Sequence, residues 1–304
     1  MPAIAAAVEV LRAGGLVAFP TETVYGLGAD AANPAALHRL FAVKGRPRDH
    51  PVIVHVARAV QLDELGRDVP DVAHLLATAC WPGPLTLVVR RRAERVAAAA
   101  TGGRDTVGIR IPDHPVALAL LDGFGGGIAA PSANRFGRVS PTTAQHVRDD
   151  LGTDVDIVLD GGASAVGVES TIVDVTGTKP VLLRVGGIPE ARLAELVGGQ
   201  LAHRTSGEVA APGTLPSHYA PDARVELVRA DELDARAGLL RAEGVKVGVL
   251  DAPADAGDYA RSLYRELRAL DRDGVVVILA VLPDEADGIG AAVADRLRRA
   301  ASAR

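Results

Sequence analysis

Short apolar runs alternating with stretches of helical periodicity dominate the first 200 residues. The runs are LVAFP (16–20), PVIVHV (51–56), PLTLVVR (84–90), TVGIRIP (106–112), GIAAPSA (127–133), VDIVLDGG (155–162), STIVDV (170–175) and VLLRVG (181–186). Helical patterns lie between several of them, such as Pro34 to Val43 and Pro141 to Leu151, and residues 1–15 read as an amphipathic helix carrying Glu9 and Arg12. Strands separated by helices predict an α/β sheet. The last two runs follow one another directly, so a twisted mixed sheet is expected rather than a purely parallel doubly wound one.

Periodicity is lost over residues 199–222, GQLAHRTSGEVAAPGTLPSHYAPD, where three prolines are scattered among Gly, Ser and Thr. That is the composition of a linker. Beyond it the pattern resumes as strand (RVELVRA), helix, strand (VKVGVLDAP), helix (Tyr259 to Leu270), strand (GVVVILAVLP) and helix (Gly290 to Ala301). Three strand-helix repeats predict a small Rossmann-like α/β domain. It has no G-x-G-x-x-G after its first strand, so a dinucleotide site there has no support. The expected division is a first α/β domain over 1–198, a linker over 199–222 and a C-terminal domain over 223–304.

Composition narrows the function. The longest apolar run, Val275 to Leu282, is eight residues, far short of the ~20 that cross a bilayer, and the N-terminus lacks the charged head and apolar centre of a secretory signal. No membrane association and a cytoplasmic location are expected. Cys80 is the only cysteine, which excludes an internal disulfide and a thiolate zinc cluster. Its setting beside Trp81 and Pro82 suits a packed small hydrophobe better than a nucleophile. A net charge of -5 and few aromatics (one Trp, four Tyr, four Phe) weigh against an RNA-binding module. Only Lys44, Lys179 and Lys246 among 33 cationic residues are lysines, so a lysine inside a polar motif is a mild anomaly.

The chain has no P-loop, no H-E-x-x-H, no G-x-S-x-G and no carboxylate-rich metal loop. Four other clusters stand out. In PTETVYGLG (20–28) a strand runs into Thr21, Thr23, Tyr25 and glycines, either an ordinary turn or a corner for a small polar ligand. KGRPRDHP (44–51) groups Lys44, Arg46 and Arg48 at a helix end, a solvated charge run or a grip for polyphosphate oxygens. Arg110 interrupts the apolar TVGIRIP and needs an anionic partner from protein or ligand. APSANRFGRVSPTT (130–143) offers Ser132, Asn134 and Ser140 as phosphate contacts, with Ser140 equally suited to cap the next helix and Pro141 to open it. Glu169, Ser170 and Arg184 are each unremarkable in isolation, and His55 on an apolar strand reads by itself as a core imidazole.

Taken in order, PTETVYGLG, KGRP, WPGPLTLV, VGIRIP, APSAN, SPTT, ESTIVD and LLRVG resemble the YrdC-like family of threonylcarbamoyl-AMP synthases over residues 10–190. HYAP (218–221) and the C-terminal unit ending in DRLRRAA resemble the family's longer, two-domain form. The resemblance implies synthesis of threonylcarbamoyl-adenylate and pyrophosphate from L-threonine, bicarbonate and ATP. The product then feeds separate proteins that modify the adenosine beside the tRNA anticodon, and a weak direct tRNA contact is compatible with that role. It implies that Thr23, His55, Arg110 and Ser170 hold L-threonine. ATP is expected on Lys44, Arg46, His50, Thr106, Ser132, Asn134, Ser140, Arg184 and Tyr219, with Lys44 and Arg46 catalytic and Tyr219 closing over the nucleotide. Mg2+ would accompany ATP without a protein carboxylate cage. His50, where the family often has Asn, and Val185, where it often has Pro, depart from the pattern.

Overall fold

The structure is a computed structural model, which describes residues 2–203, 219–286 and 288–302. Most of the 199–222 linker, His218 included, lies outside the described residues. The first unit runs α1 (Pro2–Arg12), β1 (Val17–Phe19), β2 (Gly26–Asp30), α2 (Pro34–Lys44), β3 (Ile53–His55), α3 (Gln61–Leu65), β4 (Gly66–Arg67), α4 (Asp71–Cys80) and β5 (Leu85–Arg91). It continues through β6 (Thr106–Arg110), α5 (Pro115–Phe124), β7 (Ile128–Ala129), α6 (Ala144–Leu151), β8 (Ile157–Val158), β9 (Thr171–Asp174), β10 (Val181–Arg184), α7 (Glu190–Val197) and β11 (Ala202–His203).

These strands form one mixed sheet in the order β11-β10-β9-β5-β6-β3-β7-β2-β1-β8, with β4 beside β5. The directly successive β9 and β10 pair antiparallel, whereas β5/β9 and β3/β6 are parallel. Leu27, Leu37, Leu40, Phe41, Val54, Leu87 and Ile109, drawn from the sheet and from α2, meet in one buried cluster. A second, on the other side of β1 and β7, joins Leu11 of α1 and Leu120 of α5 to Phe19 and Ile128. With helices covering both faces, the central strands read as unbroken apolar runs.

Two local expectations change. Residues 26–28, read as loop glycines, begin β2 and form a hairpin with β1, Phe19 opposite Gly26. A Cβ on Gly28 would lie 2.9 Å from the Phe19 ring and 2.8 Å from Ile128, so glycine there marks close packing within a strand. Helix α6 begins at Ala144 rather than Pro141. Its cap is Thr143, whose hydroxyl accepts from the His146 amide, and not Ser140. The Ser140 hydroxyl is committed elsewhere, to the Glu169 carboxylate.

The second unit comprises β12 (Arg224–Val228), α8 (Leu233–Ala242), β13 (Val247–Val249), α9 (Ala256–Arg272), β14 (Val277–Val281) and α10 (Gly290–Ala301). Its sheet is wholly parallel, with β14 between β12 and β13. The two units share a buried seam in which Val24, Val139 and Val168 pack with Tyr219, Tyr264, Leu267 and Leu297. Arg268 of α9 adds a bidentate pair with Asp150 at 2.6 and 2.9 Å and donates to the Val139 carbonyl.

Candidate active site

A cleft opens where β3, β6 and the loops before β9 and after β7 converge. Parallel pairing of β3 with β6 sets His55 directly beside Arg110. The cleft is lined by eight of the expected residues: Thr23, Arg46, His55, Arg110, Ser132, Ser170, Arg184 and Tyr219. Positions spread over nearly 200 residues of chain thus share one wall.

Three guanidinium groups dominate it. Arg46 follows Gly45, whose φ of 63° ends α2 in the left-handed conformation glycine favours. Its Nη2 donates to the Pro51 carbonyl at 2.9 Å, and its plane lies 5.6 Å from the Phe136 ring. Burial lowers its pKa to about 10, so it stays cationic at neutral pH. Arg184, ending β10, donates to the Ser170 carbonyl from Nε and Nη2, at 3.0 and 2.8 Å. Nη2 also reaches the Ser170 hydroxyl at 3.1 Å, which in turn pairs with Thr86 at 2.8 Å. Gly186 permits this geometry, since a Cβ there would run into the Glu169 carbonyl and the Thr171 amide.

The partner that Arg110 requires comes from the protein. Arg110 Nη2 meets Glu22 Oε1 at 2.7 Å, with the two side chains only 4% and 7% exposed. The angles fall outside a hydrogen bond, and neither Glu22 oxygen has another hydrogen-bond partner among the described residues. His55 packs edge-on against Phe19; burial, then the Arg110 charge, lower its pKa to about 3, so the ring is neutral. Thr21 donates to the Val24 carbonyl at 2.6 Å and lies 2.8 Å from the Thr23 hydroxyl. The one Thr21 proton is thereby used, so Thr23 must donate to Thr21, which leaves the Thr23 oxygen free to accept from a ligand.

Five expected residues stand outside the cleft wall. Lys44 points beneath the loop after β7, where Nζ donates to the Ser132 carbonyl at 2.5 Å and to the Asn134 carbonyl. Burial, then the nearby Arg46 charge, push its pKa well down. Asn134 Nδ2 spans the Arg135 and Arg138 carbonyls, and Ser140 is turned to Glu169. His50 lies against Phe136 at 5.6 Å, behind Arg46. Thr106 opens β6 opposite Arg90, four residues from Arg110 and therefore ~13 Å up the strand.

Two carboxylates are absent from the expectations: Glu169 in the cleft wall and Glu22, behind it on Arg110. Glu22 sits among the hydroxyls of PTETVYG, and a lone acid in that motif opposite a lone Arg in an apolar strand is the signal that pairs them. Glu169 accepts from Ser140 Oγ at 2.7 Å, from Tyr264 at 2.9 Å and from Arg296 Nε at 2.9 Å. Burial alone raises its pKa, but the Arg296 and Arg184 charges and these donors outweigh that and hold it at about 2. Tyr264 and Arg296 arrive from α9 and α10, and nothing local in sequence foretells them.

A cationic cleft with a hydroxyl-rich wall, built at the ends of central strands of a mixed α/β sheet, defines a protein that brings small anionic substrates together. Residues 9–186 match the family described as "Telomere recombination", and 188–302 match "Threonylcarbamoyl-AMP synthase, C-terminal domain". Threonylcarbamoyl-AMP synthase of Pyrococcus abyssi is 43% identical over 319 residues, spanning 97% of this chain and 92% of the relative. That of Bacillus subtilis is 39% identical over 329 residues, 100% and 94%. The crystal structure of P. abyssi Sua5 complexed with L-threonine superposes with a TM-score of 0.93 at 42% identity, covering 99% of this chain and 94% of that one. The chain belongs to the threonylcarbamoyl-AMP synthase family, in its two-domain form.

Proposed function

We infer that this protein makes threonylcarbamoyl-AMP from L-threonine, bicarbonate and ATP. The observation that carries the reading is the convergence of Arg46, Arg110 and Arg184, all buried, on one cleft. Such a site holds several anions against their mutual repulsion. Arg110 clamps the threonine carboxylate, the free Thr23 oxygen accepts from its amine, and His55 and Ser170 complete that end. Arg46, Arg184 and Ser132 take the phosphates, and Tyr219 packs against the nucleotide. Lys44, Asn134, Ser140 and His50 work from behind, shaping the loop that presents Ser132 and the plane that steadies Arg46.

The threonine nitrogen adds to the carbon of bicarbonate, water leaves, and a carbamate forms. A carbamate oxygen then attacks the α-phosphorus, and the bond from that phosphorus to the β-phosphate bridging oxygen breaks, releasing pyrophosphate. The residues supply positioning and charge compensation; no side-chain nucleophile is required. Mg2+ enters with ATP as part of the substrate. Glu169 in the cleft wall and Glu22 on Arg110 are already engaged by arginines, so phosphate and water oxygens would be its ligands. The product passes to separate proteins that modify tRNA.

Pyrophosphate release with L-threonine, without amino acid, and with L-serine or L-valine tests the reading. Release that depends on threonine is expected. Release independent of amino acid, or none from a protein that binds ATP, overturns it.

A further inference from the structure

We propose that Arg296 and Tyr264 of the C-terminal unit are positioning residues for ATP, which keep the Glu169 carboxylate in the cleft wall from capturing Arg184. The proposal rests on reading the cleft as an ATP site. A carboxylate lining a pocket for triphosphate is an oddity, because it repels the ligand and competes for the cation that should grip it. Glu169 is such a group, and Arg184, bonded to the adjoining Ser170 carbonyl, feels its charge.

The geometry disarms it. Both Glu169 oxygens are occupied from the side away from the cleft, Oε1 by Ser140, Oε2 by Tyr264 and by Arg296 Nε. Arg296 is 1% exposed on a helix of the other unit. A cation taken so completely out of water needs compensation, and it finds it in Glu169 and in Asp295 at 2.7 Å. The same guanidinium donates from Nη1 to the Val185 carbonyl at 3.0 Å, immediately after Arg184. Its plane also lies 5.2 Å from the Tyr219 ring, which stacks on Tyr264 at 5.9 Å. One side chain thus holds the carboxylate, the backbone that carries Arg184 and the aromatic ring of Tyr219 in the cleft wall. Neither Arg296 nor Tyr264 itself lines the cleft.

The test is steady-state pyrophosphate release by full-length wild type, R296M, R296K, E169Q, Y264F and the double variant R296M/E169Q, with calorimetric titration of ATP into each. R296M is expected to raise the KM for ATP at least tenfold, with kcat within threefold and the KM for L-threonine within twofold. R296K, which keeps the charge, should stay within threefold of wild type. The decisive result is rescue: removing the carboxylate in R296M/E169Q should return the KM for ATP to within threefold of E169Q. An arginine with a merely structural role would lower the thermal midpoint in R296M and regain it in the double variant, with no selective change in the KM for ATP. An unchanged KM in R296M, or a double variant as impaired as R296M, overturns the proposal. Should R296M fail to fold, Y264F decides, since it keeps the ring stack and deletes one donor: a KM for ATP raised about threefold supports the proposal and an unchanged one refutes it. If wild type binds ATP but releases no pyrophosphate with threonine, the synthase reading falls separately, and the ATP titrations still read out the role of Arg296.

Discussion

Replacing Arg110 by alanine should injure stability as well as ligand binding, because it strands a buried carboxylate. Glu22 and Arg110 are 7% and 4% exposed and meet at 2.7 Å, and Glu22 has no hydrogen-bond donor among the described residues. Breaking such a pair from one side costs about 3–5 kcal/mol. For a unit of roughly 200 residues each kcal/mol moves the unfolding midpoint by about 2–4 °C, so R110A should unfold roughly 6–20 °C below wild type. Glu22→Gln in the R110A background removes the stranded charge and should recover at least half of the loss, while leaving L-threonine binding abolished. Differential scanning calorimetry reads the first effect and isothermal titration with L-threonine the second. An R110A midpoint within about 2 °C of wild type, or no recovery in the double variant, would show that Glu22 is satisfied without its arginine and refute the reasoning.

Lys44→Met keeps the aliphatic stem but orphans the Ser132 and Asn134 carbonyls, each worth ~1–3 kcal/mol when buried; urea unfolding should show a loss of that order together with weakened ATP binding. His55 has its pKa depressed to about 3, so its contribution to stability is complete above the ordinary value near 6.5 and is lost as pH falls from there. Between pH 6.5 and 4.5 the loss should reach roughly 2–3 kcal/mol, with buried His146, lowered to about 4, sloping the same way. Glu169, held at about 2, gives stability that is complete above about pH 4.5 and lost only below it. Urea midpoints measured from pH 7.5 to 4.5 should therefore flatten in a H55Q/H146Q variant, and an unaltered slope there would contradict the assignment. Thr143→Ala removes the α6 cap and should cost about 1 kcal/mol, whereas a larger effect from Ser140→Ala would report the Glu169 contact instead.

Much of this architecture was legible in the chain. The apolar runs mark the strands because both faces of the sheet are covered, and α10 spans Gly290–Ala301, as its periodicity predicts. Arg110 announces its need for an anion by interrupting an apolar strand. What stayed hidden depends on separation in sequence. Glu22 and Arg110 are 88 positions apart, and only the pairing of distant strands makes them neighbours. Ser140 and Thr143 are both good caps, and the choice between them falls to Glu169, which takes the Ser140 hydroxyl. Lys44 looks like a phosphate ligand by composition, yet the end of α2 aims it at carbonyl groups under a loop. Thr106 shares a strand with Arg110 but not a position along it.

The donors to Glu169 also set a timetable. Arg296 lies 127 residues downstream of the carboxylate it neutralises, and at a ribosomal pace of about 5–20 residues per second that interval lasts roughly 6–25 s. Throughout it the nascent first unit carries an acid with only the Arg184 charge to compensate it and an apolar seam, Val24, Val139 and Val168, with nothing yet to cover it. The cleft is therefore finished late, by assembly of the two units, and an early-folding first unit is a natural client for chaperones until then.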